Sequence, residues 1–471
     1  MSPSNAVFLA VALAGLYTTW KVSTAPNFRF SPALLFYAIF FAMQVVGCAV
    51  VVNEGNRMDR LARLGLGLGA VGFVLGVVSV SVWSRYRPAE ELAGVRDRFD
   101  LDEPHLPYKV AIMGIGYLIC CGILAYFYES GGGIPLLQGA SALAHGDEIL
   151  SAQILLKQRR LQMTYFESSS YRGQGYIDQF RTIVLPYIVA NFLVWSGRSK
   201  RKGLRVLGLV SLLPTVLFLV GTGQRHPILT FALTMSIMGY LMAPPRLHRR
   251  IVLASMASGF VVFAVLTFML GRYGHTGSFR TDLPMVLLGL KDRILFANTI
   301  GTMSLFHLFP NPEPFRWGWT WLSDLQGFLP GPHVGFSAWL YRRLYGDVGT
   351  AAPMCFGEMY ANFGLPGVFF GASALGMILQ FLHVHWTRRS RYRAEDIVMY
   401  CMLSISFAWC ATAGLLNTLQ RGLVALPMLY VLVQVGRDLV IVVLRSREST
   451  WWAGPSSQVG PNPLSAPSPA P

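Results

Sequence analysis

Charge is what this chain has least of. Asp, Glu, Lys and Arg make up only 13% of its 471 residues, while 53% are hydrophobic, a balance that excludes an ordinary soluble globular protein. Cysteine is scarce as well. Of the six, Cys48, Cys120, Cys121, Cys401 and Cys410 lie in apolar runs and Cys355 stands alone in a loop, so neither a disulfide framework nor a four-thiolate metal site is available. Also missing are a Gly-rich nucleotide loop with its lysine, a zinc-spaced His pair and, in the external loops, an Asp-x-Asp-type acidic motif. These absences argue against a nucleotide-sugar donor and a bound metal, and no cofactor is expected.

What is abundant is apolar sequence. Runs of about 20 residues, enough to cross a hydrocarbon layer of roughly 30 Å, recur near 5–20, 30–52, 62–83, 110–128, 181–196, 206–222, 226–243, 251–270, 364–386, 396–416 and 422–444. They predict an all-α polytopic membrane protein with about eleven transmembrane helices in one integral domain over 1–447. The first run, Asn5 to Trp20, has no basic flank before it and no small-x-small cleavage site after it, and reads as a retained helix rather than a signal peptide. Residues 448–471 are rich in Pro, Ser and Gly; with so little apolar surface they are expected to form a disordered tail. No internal repeat of fixed period supports an inverted-repeat transporter.

The net charge of +16 could point to nucleic acid, but its distribution does not. Arg198, Lys200, Arg201, Lys202 and Arg205, then Arg246, Arg249 and Arg250, then Arg388, Arg389, Arg391 and Arg393 fill short loops between apolar runs. That bias marks those loops as cytoplasmic. The C-terminus is then cytoplasmic, the N-terminus external, and two long external loops follow at about 129–180 and 271–357. Arg57 and Arg60 fall on the external side, against the rule, and are outvoted by the later loops. The apolar stretch Ile294–Phe309 is short and carries His307, so it reads as an interfacial or re-entrant helix rather than a span.

Arginines gather on the external side: Arg225 in the tight turn from Gly221 to Pro227, Arg272 and Arg280 past a helix end, Arg293 within the loop, and Arg421 in the hairpin Thr418–Gly422. A planar, permanently charged guanidinium matches phosphate oxygens, so arginines at a bilayer surface suit a lipid pyrophosphate. The plainer reading is that they snorkel to headgroups or pair with Asp282, Asp292 or Asp324; Arg225 and Arg421, in short hairpins without a neighbouring acid in sequence, favour function. Glu358, at the mouth of an apolar helix, is a candidate base toward a sugar hydroxyl or a carboxylate complementing a helix N-terminus. His275, His307 and His333 are alternative bases. Phe315, Trp317, Trp319, Trp321, Phe328, Phe336 and Trp339 crowd the second loop, a composition suited equally to stacking on sugar rings and to an interfacial belt.

The order of features resembles the bacterial oligosaccharide repeat-unit (O-antigen, Wzy-type) polymerases. The resemblance rests on Phe30-Ser31-Pro32, the arginine hairpin at Arg225, Phe315-Arg316-Trp317-Gly318 leading to Leu329-Pro330-Gly331, Gly357-Glu358-Met359-Tyr360-Ala361-Asn362-Phe363-Gly364, and Arg421-Gly422. It spans most of the chain, and the Glu-x-Tyr-x-Asn-Phe-Gly passage is its specific part. It implies an enzyme of the bacterial inner membrane that joins undecaprenyl-pyrophosphate-linked oligosaccharides into a surface polysaccharide by metal-independent glycosyl transfer. Arg225, Glu358, Tyr360, Asn362 and Arg421 carry over as site candidates. Arg225, Arg272 and Arg421 would hold the pyrophosphate, and Glu358 or a loop histidine would take the acceptor proton. A flippase and a chain-length regulator are the protein partners this implies, with no nucleic acid. Two other readings stay open: an O-antigen ligase transferring a finished glycan, and a lipid-linked oligosaccharide flippase. The second would need cations along the middles of several helices, where this chain is almost uncharged.

Overall fold

The computed structural model describes residues 2–26, 28–99, 106–145, 174–198, 202–269, 284–285, 287–289, 291–326, 335–347, 349–418 and 422–452. Among them, nine helices are long and apolar enough to cross a bilayer: α1 (Pro3–Ser23), α2 (Pro32–Val51), α3 (Arg57–Trp83), α4 (Leu106–Ser130), α5 (Tyr176–Gly197), α6 (Lys202–Gly221), α9 (Cys355–Thr387), α10 (Ala394–Ala411) and α11 (Ala425–Val442). The other two expected spans also form helices, α7 (Arg225–Met242) and α8 (His248–Met269). No strand occurs among the described residues, only isolated bridges at Ala25–Phe28 and Phe99–Tyr392. The chain is an all-α polytopic membrane protein, as a hydrocarbon solvent requires: it satisfies no backbone group, so each span must satisfy its own.

Local signals start the helices. Ser2 and Ser31 cap α1 and α2 by accepting from Asn5 N and Leu34 N, each followed by proline at the first helical turn, and Asn56 caps α3 through Met58 N. α3 and α9 then pack unusually closely through small residues. A Cβ added at Gly76 would lie 2.0 Å from Ser373 O, and one at Gly376 would lie 2.2 Å from Phe73 O. Only glycine lets the two backbones approach so far, which is how helices associate in a solvent as apolar as their own side chains.

Contacts sort the loops onto two ends. At one, Arg388 pairs with Glu91 at 2.7 Å, Tyr392 N donates to Arg98 O at 2.9 Å, and Arg29 N donates to Tyr240 Oη at 3.0 Å. At the other, Ser2 donates to Glu54 at 2.5 Å, and His307 meets Asp59 at 2.6 Å. The basic 388–393 loop and the N-terminus therefore lie at opposite ends, in keeping with the alternation read from charge. The stretch around Ile294–Phe309 forms a π turn, Asp292–Ala297, and the helix Asn298–Leu308. It lies against α2 and α3 rather than joining the nine long helices: Thr299 donates to Met43 O at 2.7 Å, and Phe306 fills the space beside Gly65.

The passage expected at the mouth of a span is arranged differently. Helix α9 is interrupted at Gly364, whose φ of 67° and ψ of −159° are not helical. A Cβ at Gly371 would fall 2.5 Å from Met359 Sδ, although twelve residues of straight helix span about 18 Å. Residues 355–363 are thus a short helix of their own, folded back along 365–387, with Gly364 as the reversal and Pro366 inside the first turn of the second helix.

Candidate functional site

Glu358 lies in that folded-back segment and is fully buried. Its Oε2 accepts a 2.7 Å hydrogen bond from Leu415 N, while Oε1 has no hydrogen-bond partner among the described residues. Gly414 comes so close that a Cβ there would be 2.9 Å from Oε2. Around the carboxylate stand Thr320, Trp321 and the like-charged Asp324, all from the loop helix Trp319–Leu325. Asp324, 3% exposed, accepts from Phe336 N at 2.9 Å. Glu358 therefore serves as a backbone anchor through one oxygen, while the other is buried close to Thr320 and Trp321.

Tyr360 and Asn362 shape this region. Tyr360 stacks on Phe306 at 4.1 Å between ring centroids and donates to Phe309 O at 3.2 Å. Asn362 accepts from Gly318 N at 3.0 Å and donates to Thr320 Oγ1 at 2.5 Å. The carbonyls of Ala361 and Asn362, left unpaired where the short helix ends, accept from Arg316 N and Trp317 N at 2.9 and 3.1 Å. The strap Arg316–Gly318 is thereby tied to the segment that carries Glu358.

Arg225 opens α7, and the turn before it is held by a residue the sequence reading passed over. Arg181, 2% exposed, donates to Thr222 Oγ1, to Gln224 Oε1, and to Asp178 Oδ1 at 2.5 Å. The hairpin is thus not remote from acids: Asp178 reaches it through Arg181. A guanidinium inside an apolar run is costly unless paired, and that signal was legible at position 181. The neighbouring His226 packs on Trp409 with centroids 4.7 Å apart. Trp409 O in turn accepts from Thr412 N and Ala413 N, at 2.9 Å each, in the turn that leads to Leu415. The segment 409–415 therefore touches both the Arg225 hairpin and Glu358.

Of the remaining candidates, Arg272, Arg280, His333 and Arg421 lie outside the described residues, as does the side chain of Arg293. Gly422, next to Arg421, adopts a φ of 142° and lies against Ser406 of α10 and Ile183 of α5. His307 is engaged with Asp59. A second buried charge pair joins Lys109 of α4 to Glu395 of α10 at 2.8 Å, both side chains fully buried; it belongs to the basic end, away from Glu358. Among the described residues no group of three or more His, Cys, Asp or Glu is placed to hold a metal. Comparison of the chain with protein-family models, with curated proteins and with solved structures returned no match.

Proposed function

We propose that this chain is a polysaccharide polymerase of the bacterial inner membrane, acting on lipid-pyrophosphate-linked oligosaccharides at the external face, with its C-terminus in the cytoplasm. The observation that carries the reading is the Glu358 carboxylate, buried, anchored through Oε2 to Leu415 N, without a hydrogen-bond partner at Oε1 among the described residues, and linked through the 409–415 turn to the Arg225 hairpin. In the transfer, an acceptor hydroxyl oxygen forms a bond to the anomeric carbon of the donor. The bond from that carbon to the pyrophosphate breaks, the electron pair leaves with the lipid pyrophosphate, and the hydroxyl proton passes to Glu358. Arg225 and Arg421 offset the charge that grows on the leaving group. Glu358 is fully buried, so the acceptor reaches it only once the packing over it opens.

A deletion strain complemented with each variant tests this. Loss of a polymerase leaves single repeat units on the surface acceptor, loss of a ligase leaves polymer on its lipid carrier, and loss of a flippase leaves lipid-linked repeat units facing the cytoplasm. Single-repeat products from the deletion, with full-length ladders restored by the wild-type chain and not by Arg225→Ala, support the proposal. Either other phenotype removes it.

A further inference from the structure

Trp317 is held in a backbone conformation that side chains with a Cβ rarely adopt, at φ 49°, yet its ring is 73% exposed. Such a conformation persists only where the surroundings over-determine it. Here they do: Arg316 N donates to Ala361 O at 2.9 Å, Trp317 N to Asn362 O at 3.1 Å and Gly318 N to Asn362 Oδ1 at 3.0 Å. Gly318, at φ 91°, then turns the chain into the Trp319–Leu325 helix, whose first residue, Trp319, is 63% exposed. Phe363 braces the strap from below, edge-on to Trp317 with centroids 6.2 Å apart and tilted against Trp321 at 5.5 Å. Two large rings are therefore displayed on a rigid strap fixed to the segment that carries Glu358.

The geometry points to a carbohydrate-binding platform, in which Trp317 and Trp319 stack on the apolar C–H face of a pyranose ring in the glycan portion of the substrate. The alternative occupant is lipid, since tryptophan settles at bilayer interfaces. An anchor of that kind works in many orientations and needs no strained backbone. Sugar recognition needs a ring held at one angle, with hydrogen-bonding groups beside it. Next to Trp317 in sequence, Arg316 donates to Glu313 at 2.8 Å and lies 4.9 Å from the Trp339 ring centroid, and Arg343 approaches the same Glu313 at 3.5 Å. The inference deepens the polymerase reading by naming how that site would hold its glycan.

The test uses the full chain in lipid nanodiscs and, as probe, a fluorophore-labelled glycan released by mild acid from the surface polysaccharide of the producing strain. Because binding needs no turnover, an inactive chain that still binds glycan through Trp317 would remove the polymerase reading and leave the platform standing. Trp317→Gly relieves the backbone strain while removing the ring, so it tests binding without threatening the fold. It and Trp319→Ala are each expected to weaken binding at least about tenfold, as loss of an aromatic anchor typically does. Trp195→Phe, at a buried position, should bind like the wild type. Unchanged affinity in Trp317→Gly, no binding by the wild type, or fluorescence from Trp317 that is quenched by brominated lipid and unaltered by glycan would each overturn the assignment, the last in favour of a membrane anchor.

Discussion

Glu358 and Leu415, 57 residues apart, are joined by a 2.7 Å hydrogen bond from the Leu415 backbone to the buried carboxylate. That bond separates the two tasks assigned to the glutamate. In Glu358→Gln the side-chain carbonyl still accepts from Leu415 N, so the fold should hold while proton acceptance is lost. A drop in turnover on the order of 10²–10⁴-fold, with an unchanged melting temperature, is expected from purified variant and lipid-linked repeat unit. Glu358→Ala should lose both activity and thermal stability. Near-wild-type turnover in the Gln variant would leave the residue a backbone anchor alone.

Gly364 makes the reversal between 355–363 and 365–387 at φ 67° and ψ −159°, and an added Cβ would sit 3.3 Å from the Phe315 ring. Gly364→Ala is expected to cost about 1–3 kcal/mol, the range for strained backbone of this kind. Thermal unfolding in detergent would read this as a lowered midpoint. No shift would mean that the reversal tolerates a side chain.

The Lys109–Glu395 pair, fully buried at 2.8 Å, calls for a double-mutant cycle. Lys109→Met alone removes the cation beside a buried carboxylate and is expected to destabilise by ~3–5 kcal/mol, whereas Lys109→Met with Glu395→Gln recovers most of that loss. Additive effects in melting experiments would show the two groups acting independently.

Glu54 lies in the short loop between α2 and α3. Hydrogen bonds from Arg63 and then Ser2 hold its carboxyl down from the ordinary 4.5 to about 2. A group whose pKa is depressed by folding contributes stability that is present above its unfolded value and lost as pH falls through the folded one. The melting-temperature difference between wild type and Glu54→Gln should therefore be flat above about pH 5 and shrink toward pH 2. A constant difference across that window would contradict the tether.

Sidedness is tested with single cysteines in a background lacking the native six. Tyr345 and Ser390 are both exposed, at opposite ends of the bundle. In intact spheroplasts an impermeant thiol reagent should label Tyr345→Cys and spare Ser390→Cys. The reverse pattern would turn the Glu358 end toward the cytoplasm and remove the polymerase proposal.

The spans were legible in the sequence because hydrocarbon forces each to satisfy its own backbone, so a run of apolar residues is already a statement about structure. Apolar character also located all eleven helices near their expected positions and kept Asn298–Leu308 out of the set of long helices. The candidate site was only half legible. Glu358, Tyr360 and Asn362 were found as a motif, but the motif reads the same whether it starts a span or doubles back beside one. Arg181 was legible as a charge in an apolar run, but not what it holds: Thr222 and Gln224 lie about 40 residues away, and nothing local marks them as partners.

Apolar runs and charge bias, properties of single segments, determined from the sequence that the chain is helical, where its spans fall and which loops are basic. Only the tertiary structure decided that residues 355–363 reverse at Gly364, that one oxygen of Glu358 is committed to Leu415, and that Asn362 spends its amide on the strap presenting Trp317. Each of these is a contact between segments distant along the chain. Such contacts form only once the helices have packed, where glycine at positions 76 and 376 lets two backbones meet and buried polar groups must find whatever partner that packing brings.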